Sequence, residues 1–116
     1  MTMTRFRCGV QFLQEADAFL DSLPPKAYRK VAFNIGKIRD GFADSEVFKK
    51  LEGSEIWEIR TLYDGLAYRL FAFWDTRMGA LVIATHGIVK KADKTPRKEI
   101  EKAERIREEY FKVNRL

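Results

Sequence analysis

An α+β fold of one domain spanning residues 1–116 is predicted by three features of this sequence. The spacing of apolar residues changes from alternation to a helical period near residue 12. Three segments rich in aromatic and branched residues then follow one another with turn residues between them. A last segment returns to the helical period. The expected order is β-α-α-β-β-β-α, a four-stranded, mainly antiparallel sheet with an N-terminal helical hairpin and a C-terminal helix.

The elements follow in chain order. Phe6, Cys8 and Val10 alternate with Arg5, Arg7 and Gly9, as in a strand with one buried face. Phe12, Leu13, Ala16, Phe19, Leu20 and Leu23 then line one side of a helix. Leu23-Pro24-Pro25 stops it, because a proline disfavours helix in the residue before it. Pro25 suits the first turn of a second helix, whose stripe is Tyr28, Val31, Ala32, Ile35 and Ile38, with Gly41 past its end. Residues 42–53 read as a connection anchored by Phe42, Val47, Phe48 and Leu51. The strand segments are about 55–63, 66–75 and 79–90, and Asp64-Gly65 between the first two is a hairpin signal. The second and third are apolar at almost every position, as in central strands covered on both faces. Thr95 as cap and Pro96 as first helical residue open the last helix, with Ile100, Ala103, Ile106, Tyr110 and Val113 on its apolar side.

Composition narrows the function classes. Lys and Arg number 22 against 17 Asp and Glu, a formal charge of +5, which suits a polyanionic partner: nucleic acid, an anionic membrane surface or an acidic protein. A solvated basic surface without a partner is the alternative. One Cys and one His exclude an internal disulfide and a four-ligand structural zinc site, and the lone thiol of Cys8 fits a reducing cytoplasm. No apolar run approaches the roughly 20 residues of a membrane span, and Met1–Arg7 lacks the apolar core of a signal peptide. No glycine-rich phosphate loop of either common type is present, so an enzyme of this sequence is expected to work without a cofactor or metal, with side chains alone.

The basic excess is densest at Lys90, Lys91, Lys94, Arg97 and Lys98, where the last strand ends and the last helix begins. That placement suits phosphate, since free backbone N–H groups of a helix start point the same way. Flanking a solvated loop is the alternative. Arg60 and Arg69 lie inside strands, where a charge is costly unless paired or facing a groove. Glu58 is two residues from Arg60 and so shares its face. Either a Glu58–arginine bridge or an open arginine-lined groove accounts for the trio.

Together these residues form a pattern: Leu51-Glu52-Gly53, Ile56-Trp57-Glu58-Ile59-Arg60, Ala67-Tyr68-Arg69-Leu70-Phe71, His86-Gly87-Ile88-Val89-Lys90-Lys91 and Lys94-Thr95-Pro96 with Glu99, Ile100 and Ala103. The pattern, running from about residue 5 to 112, resembles the phage-derived Gp49-like, or HigB-like, family of the RelE/ParE toxin superfamily. The resemblance implies a RelE-like fold and the toxin of a type II toxin–antitoxin system. Such a toxin is a ribosome-dependent mRNA endoribonuclease. Its partners would be the ribosome with its mRNA and a cognate antitoxin, usually a helix-turn-helix DNA-binding protein, with no membrane involved. Cleavage by attack of the RNA 2′-OH on the adjacent phosphate needs orientation, charge neutralisation and proton transfer, and no metal. Arg69 is the first candidate to clamp the phosphate, because its planar fork matches two oxygens and stays charged. Arg60 is the second clamp or an RNA-positioning group. Lys90 and Lys91 alternate in direction, so at most one faces the scissile phosphate and the other would grip ribosomal RNA. Glu58 is a candidate base and His86 a candidate acid, against a structural role for each. Lys94, Arg97, Lys98 and Tyr68 are candidate RNA contacts, with a core role the alternative for Tyr68. A ParE-like inhibitor of DNA gyrase that cuts nothing, and an inactive nucleic-acid- or antitoxin-binding domain, are the competing functions.

Overall fold

The computed structural model describes residues 7–91 and 94–115. Its elements are β1 (Gly9–Phe12), α1 (Gln14–Asp21), α2 (Pro25–Arg39), β2 (Phe48–Lys50), β3 (Trp57–Tyr63), β4 (Leu66–Asp75), β5 (Leu81–Lys90) and α3 (Arg97–Val113). The predicted order is present with one addition. The sheet has five strands rather than four, in the order β1-β5-β4-β3-β2. The extra strand, β2, lies in the segment read as a connection. Its three residues are too few to show an alternation, and it is held by packing, with the Phe48 ring 4.6 Å from that of Trp57 and 6.0 Å from that of Trp74. β1 runs parallel to β5 and every other pairing is antiparallel. Phe6 and Arg5, assigned to the first strand from their alternation, lie outside the described residues.

α1 and α2 cover one face of the sheet. Ala16, Leu20, Ala27, Val31, Ile35 and Ile38 pack there on Ile59, Tyr68, Leu70, Ala72, Val82 and Ala84. α3 covers the other face, where Ala103, Ile100, Tyr110 and Phe111 meet Ile56, Phe71, Phe73 and Ile83. Coverage on both sides explains why β4 and β5 are apolar at nearly every position. Asp64 and Gly65 adopt φ of 51° and 78°, the two left-handed residues of a tight hairpin turn, and set Tyr63 opposite Leu66.

The β4–β5 ladder slips between Phe71 and Ala72. Ala72 faces Ala84 and Phe71 faces His86, so Thr85 is the extra residue, and its hydroxyl donates to the Phe71 carbonyl at 3.2 Å. A bulge of this kind reverses which alternate residues face each side. Before it Ile83 points toward α3, and after it His86, Ile88 and Lys90 do, while Gly87 turns to α1.

Thr95 does not cap α3, contrary to the spacing-based expectation. The helix begins at Arg97, Pro96 stands at the cap position without a side-chain cap bond, and the Thr95 hydroxyl is used elsewhere. Among the described residues no helix is long and apolar enough to cross a membrane.

Candidate functional site

Three neighbouring strands bring the central charged residues to the α3 face, just beyond the start of that helix. Arg60 on β3 stands directly opposite Arg69 on β4, and Arg69 stands opposite Ile88 on β5. Two pairs further toward the open end, and so on the same face, Ala67 faces Lys90. Two pairs inward, Glu58 faces Phe71, which in turn faces His86.

Glu58 and Arg69 are almost wholly enclosed, with side chains 3% and 2% exposed; that of Arg60 is 26% exposed. The Nε atoms of both arginines stand 3.5 Å from Glu58 Oε1. That is an ion-pair distance, longer than a well-formed hydrogen bond. Glu58 Oε2 accepts from the Thr95 hydroxyl, which itself accepts from Lys90 Nζ at 3.3 Å. One carboxylate is thereby set among three cations. An open depression of about 240 Å³, lined by Glu46, Arg60, Leu62 and Arg69, reaches the cluster from solvent.

The residues named from sequence divide into those that meet and those that do not. Arg60, Arg69, Glu58 and Lys90 meet. Lys91 is exposed and follows the end of β5. Lys94, Arg97 and Lys98 are exposed around the start of α3. Tyr68 is not at the cluster. It is 5% exposed and packs in the hairpin-side core, because successive residues of a strand point to opposite faces. His86 shares the α3 face but lies beneath the helix, 3% exposed and stacked on Phe71 with ring centroids 4.8 Å apart. Its Nδ1 is 2.9 Å from Thr85 Oγ1 and its Nε2 is 3.1 Å from Glu99 Oε1. Burial pulls the imidazole below its ordinary pKa, and the bond to Glu99 opposes this in part.

Two residues that sequence reasoning did not select support the site. Thr95 bridges Lys90 and Glu58, as described. Asn34 of α2 is 5% exposed and donates through Nδ2 to the Arg60 carbonyl at 3.3 Å and to Thr61 Oγ1 at 3.0 Å, tying the helical hairpin to the strand that bears Arg60. Its signal was a polar residue within the buried stripe of α2, three positions after Val31.

A second polar knot lies at the far end of α3. Asp75 accepts from Arg77 at 2.9 Å and from the Tyr110 hydroxyl at 2.8 Å, and the Arg77 guanidinium holds its carboxyl well below the usual range. Arg77 also sits 4.7 Å from the centre of the Phe111 ring. This knot fastens the helix end to the β4–β5 turn. Among the described residues no group of His, Cys, Asp and Glu is arranged to hold a metal ion.

The sequence model of one protein family, described as phage derived protein Gp49-like (DUF891), matches residues 18–108, more than three-quarters of the chain. The match runs from α1 into α3 and includes every strand of the charged cluster. No curated protein matches the chain.

Proposed function

Because the chain belongs to the phage-derived Gp49-like family, a membership that points to a toxin-like protein of the RelE/HigB superfamily, we propose that it is the toxin of a type II toxin–antitoxin pair and cleaves mRNA on the ribosome. The observation that carries this reading is the cluster of Arg60, Arg69 and Lys90 around Glu58. Three positive charges around the Glu58 carboxylate leave an excess of two within the cluster, and the open depression that reaches it is lined by Arg60 and Arg69 together with the carboxylate of Glu46. A phosphodiester carries one negative charge, and the five-coordinate species formed when a 2′-OH adds to it carries two. Preorganised cations aimed at developing charge stabilise the transition state more than the ground state.

In this mechanism the 2′ oxygen bonds to phosphorus, the bond from phosphorus to the 5′ oxygen breaks, and a 2′,3′-cyclic phosphate and a 5′-OH result. Arg69 and Arg60 hold the non-bridging oxygens through their guanidinium forks. They do not transfer protons, because arginine stays protonated in proteins. Lys90, at the open end, gives a proton to the leaving 5′ oxygen, and water takes the proton of the 2′-OH. Glu58 acts through the arginines: its carboxylate offsets the cost of enclosing Arg69 and fixes the direction of both forks. His86 holds the first turn of α3 against Phe71 and does not meet RNA. Lys91, Lys94, Arg97 and Lys98 contact RNA around the depression. A cognate antitoxin, of the helix-turn-helix DNA-binding kind, controls the activity, since a preformed phosphate site needs no activation.

Inducible expression, with primer-extension mapping of mRNA ends and a parallel gyrase supercoiling assay, tests the proposal. Growth arrest with new mRNA ends and normal supercoiling is expected. Arrest with intact mRNA and blocked supercoiling would replace it by a gyrase-inhibitor reading.

A further inference from the structure

The charge balance of the molecule isolates one element. Of the 22 Lys and Arg residues, α2 holds five, namely Lys26, Arg29, Lys30, Lys37 and Arg39, and it contains no acidic residue. The +5 carried by this helix equals the formal excess of the whole chain, as does that of the group Lys90, Lys91, Lys94, Arg97 and Lys98, and of the two only the helix is a single regular element without an acidic residue. Among the described residues none of the five in the helix is ion-paired with a carboxylate. The buried side of α2 is Ala27, Val31, Asn34, Ile35 and Ile38, which turns Lys26, Arg29, Lys30 and Lys37 outward. Phe33 lies among them, 60% exposed, with the ammonium groups of Lys30 and Lys37 at 5.9 and 5.1 Å from its ring centre.

We propose that the outer face of α2 is an RNA-backbone binding surface, separate from the phosphate cluster and on the opposite side of the sheet. The eleven residue steps from Lys26 to Lys37 span about 16 Å of helix, roughly five nucleotide steps at the ~3.4 Å rise of one duplex strand. Lys26 and Arg29 rim a depression of about 540 Å³ at the start of the helix, shared with Tyr63, Asp64, Leu66 and the buried Tyr68, and the two cations outnumber its one carboxylate. That volume accepts an unstacked base beside the Tyr63 ring, the way single-stranded RNA is commonly held. An acidic protein helix suits the face less well. Such a partner needs apolar anchors three, four and seven residues apart, and the exposed large apolar residues of α2 are Tyr28 and Phe33, five apart.

Two RNA-binding surfaces on opposite faces of one sheet have a consequence for activity, which rests on the functional reading above. RNA held by α2 is kept away from Arg69. The strand that is cut and the RNA that seats the protein are then different molecules, which is the arrangement on a ribosome. Free RNA bound at α2 stays intact.

The test compares the full chain with the variant Lys26→Gln/Arg29→Gln/Lys30→Gln/Lys37→Gln. A control variant, Lys49→Gln/Lys50→Gln/Arg105→Gln/Lys112→Gln, removes the same charge from other exposed positions. Circular dichroism verifies that each is folded. Binding to vacant ribosomes and to a 20-nucleotide single-stranded RNA is measured across a salt series. Each lost phosphate contact lowers the log–log salt slope by roughly 0.7–0.9, so four lower it by about 3, and the full chain loses roughly 60-fold more affinity than the α2 variant over a fourfold rise in salt. A smaller slope for the α2 variant on both probes, with the control close to the parent, supports the proposal. Equal losses in both variants reduce the effect to net charge and overturn it, as does an unchanged slope or a parent chain that binds neither probe. Unchanged RNA binding with loss of a complex with an acidic protein would assign the face to that protein instead. If α2-dependent binding holds but mRNA on programmed ribosomes stays whole, the cleavage reading fails while this surface stands.

Discussion

Replacing Glu58 by Gln removes the negative charge at the centre of the cluster and keeps the side chain's shape. The cost divides by exposure. Arg60, at 26% exposed, regains water and loses at most about 1 kcal/mol, as for a surface pair. Arg69, at 2% exposed, does not, and breaking a buried pair by removing one partner costs about 3–5 kcal/mol. A loss of about 3 kcal/mol is a large fraction of the ~5–15 kcal/mol that holds a domain together. At roughly 4 °C per kcal/mol for a chain of this size it lowers Tm by about 12 °C. The lost counter-charge should make the variant more responsive to phosphate than the parent. An anion at about 50 times its Kd returns roughly 2.3 kcal/mol, most of the loss. Phosphate also strengthens burial in any protein by exclusion from its surface, so the informative quantity is the difference between variant and parent. Thermal melts of both in chloride and in phosphate give it, with Glu58→Gln/Arg69→Gln as the control that lacks the buried cation. A variant melting within about 1 °C of the parent, or an equal phosphate gain in all three proteins, would refute the account of Glu58 as the buried counter-charge of Arg69.

Three further outcomes are expected. Gly87→Ala would put a methyl group 2.4 Å from Cδ2 of Phe19, so it should cost about 2 kcal/mol or more by overpacking, and a Tm equal to the parent's would show that α1 does not lie on β5 as described. Because burial depresses the pKa of His86, the unfolded chain binds the proton first, near the ordinary 6.5. The stability from neutral His86 is complete above that pH and lost as pH falls through the folded value. As the chain has one His, Tm should fall between pH 7 and 5.5, and His86→Gln should flatten that slope. Tyr110→Phe removes a hydrogen bond to the charged Asp75 and should cost about 1.5 kcal/mol in chemical denaturation without changing RNA binding.

Much of the fold was legible because burial imposes a period. The stripe of α2, the Asp64-Gly65 turn and the two-sided apolar character of β4 and β5 all follow from which face meets the core. What escaped lacks a period. β2 is too short to alternate, and the extra residue at Thr85 leaves no mark on a strand that is apolar on both sides. That bulge decides that Lys90, and not Lys91, shares the face of Arg69. Glu58, Arg60 and Arg69 were selected because charges inside strands need an explanation. The position of Thr95 next to Pro96 suggested a cap, and only the fold shows its hydroxyl on Glu58. The basic character of α2 is masked in sequence by the acidic residues of α1 beside it, Glu15, Asp17 and Asp21.

The chemistry of the RNA ends tests the central claim most directly. Purified protein is mixed with ribosomes carrying a defined mRNA, and the products are separated and their termini identified. The mechanism at the Arg60–Arg69–Lys90 cluster predicts a new 5′-OH on one fragment and a 2′,3′-cyclic phosphate on the other, at the codon in the A site, with both lost in a folded Arg69→Gln/Glu58→Gln protein. Fragments with 5′-phosphate ends, or mRNA that remains whole while the protein still arrests growth, would contradict it.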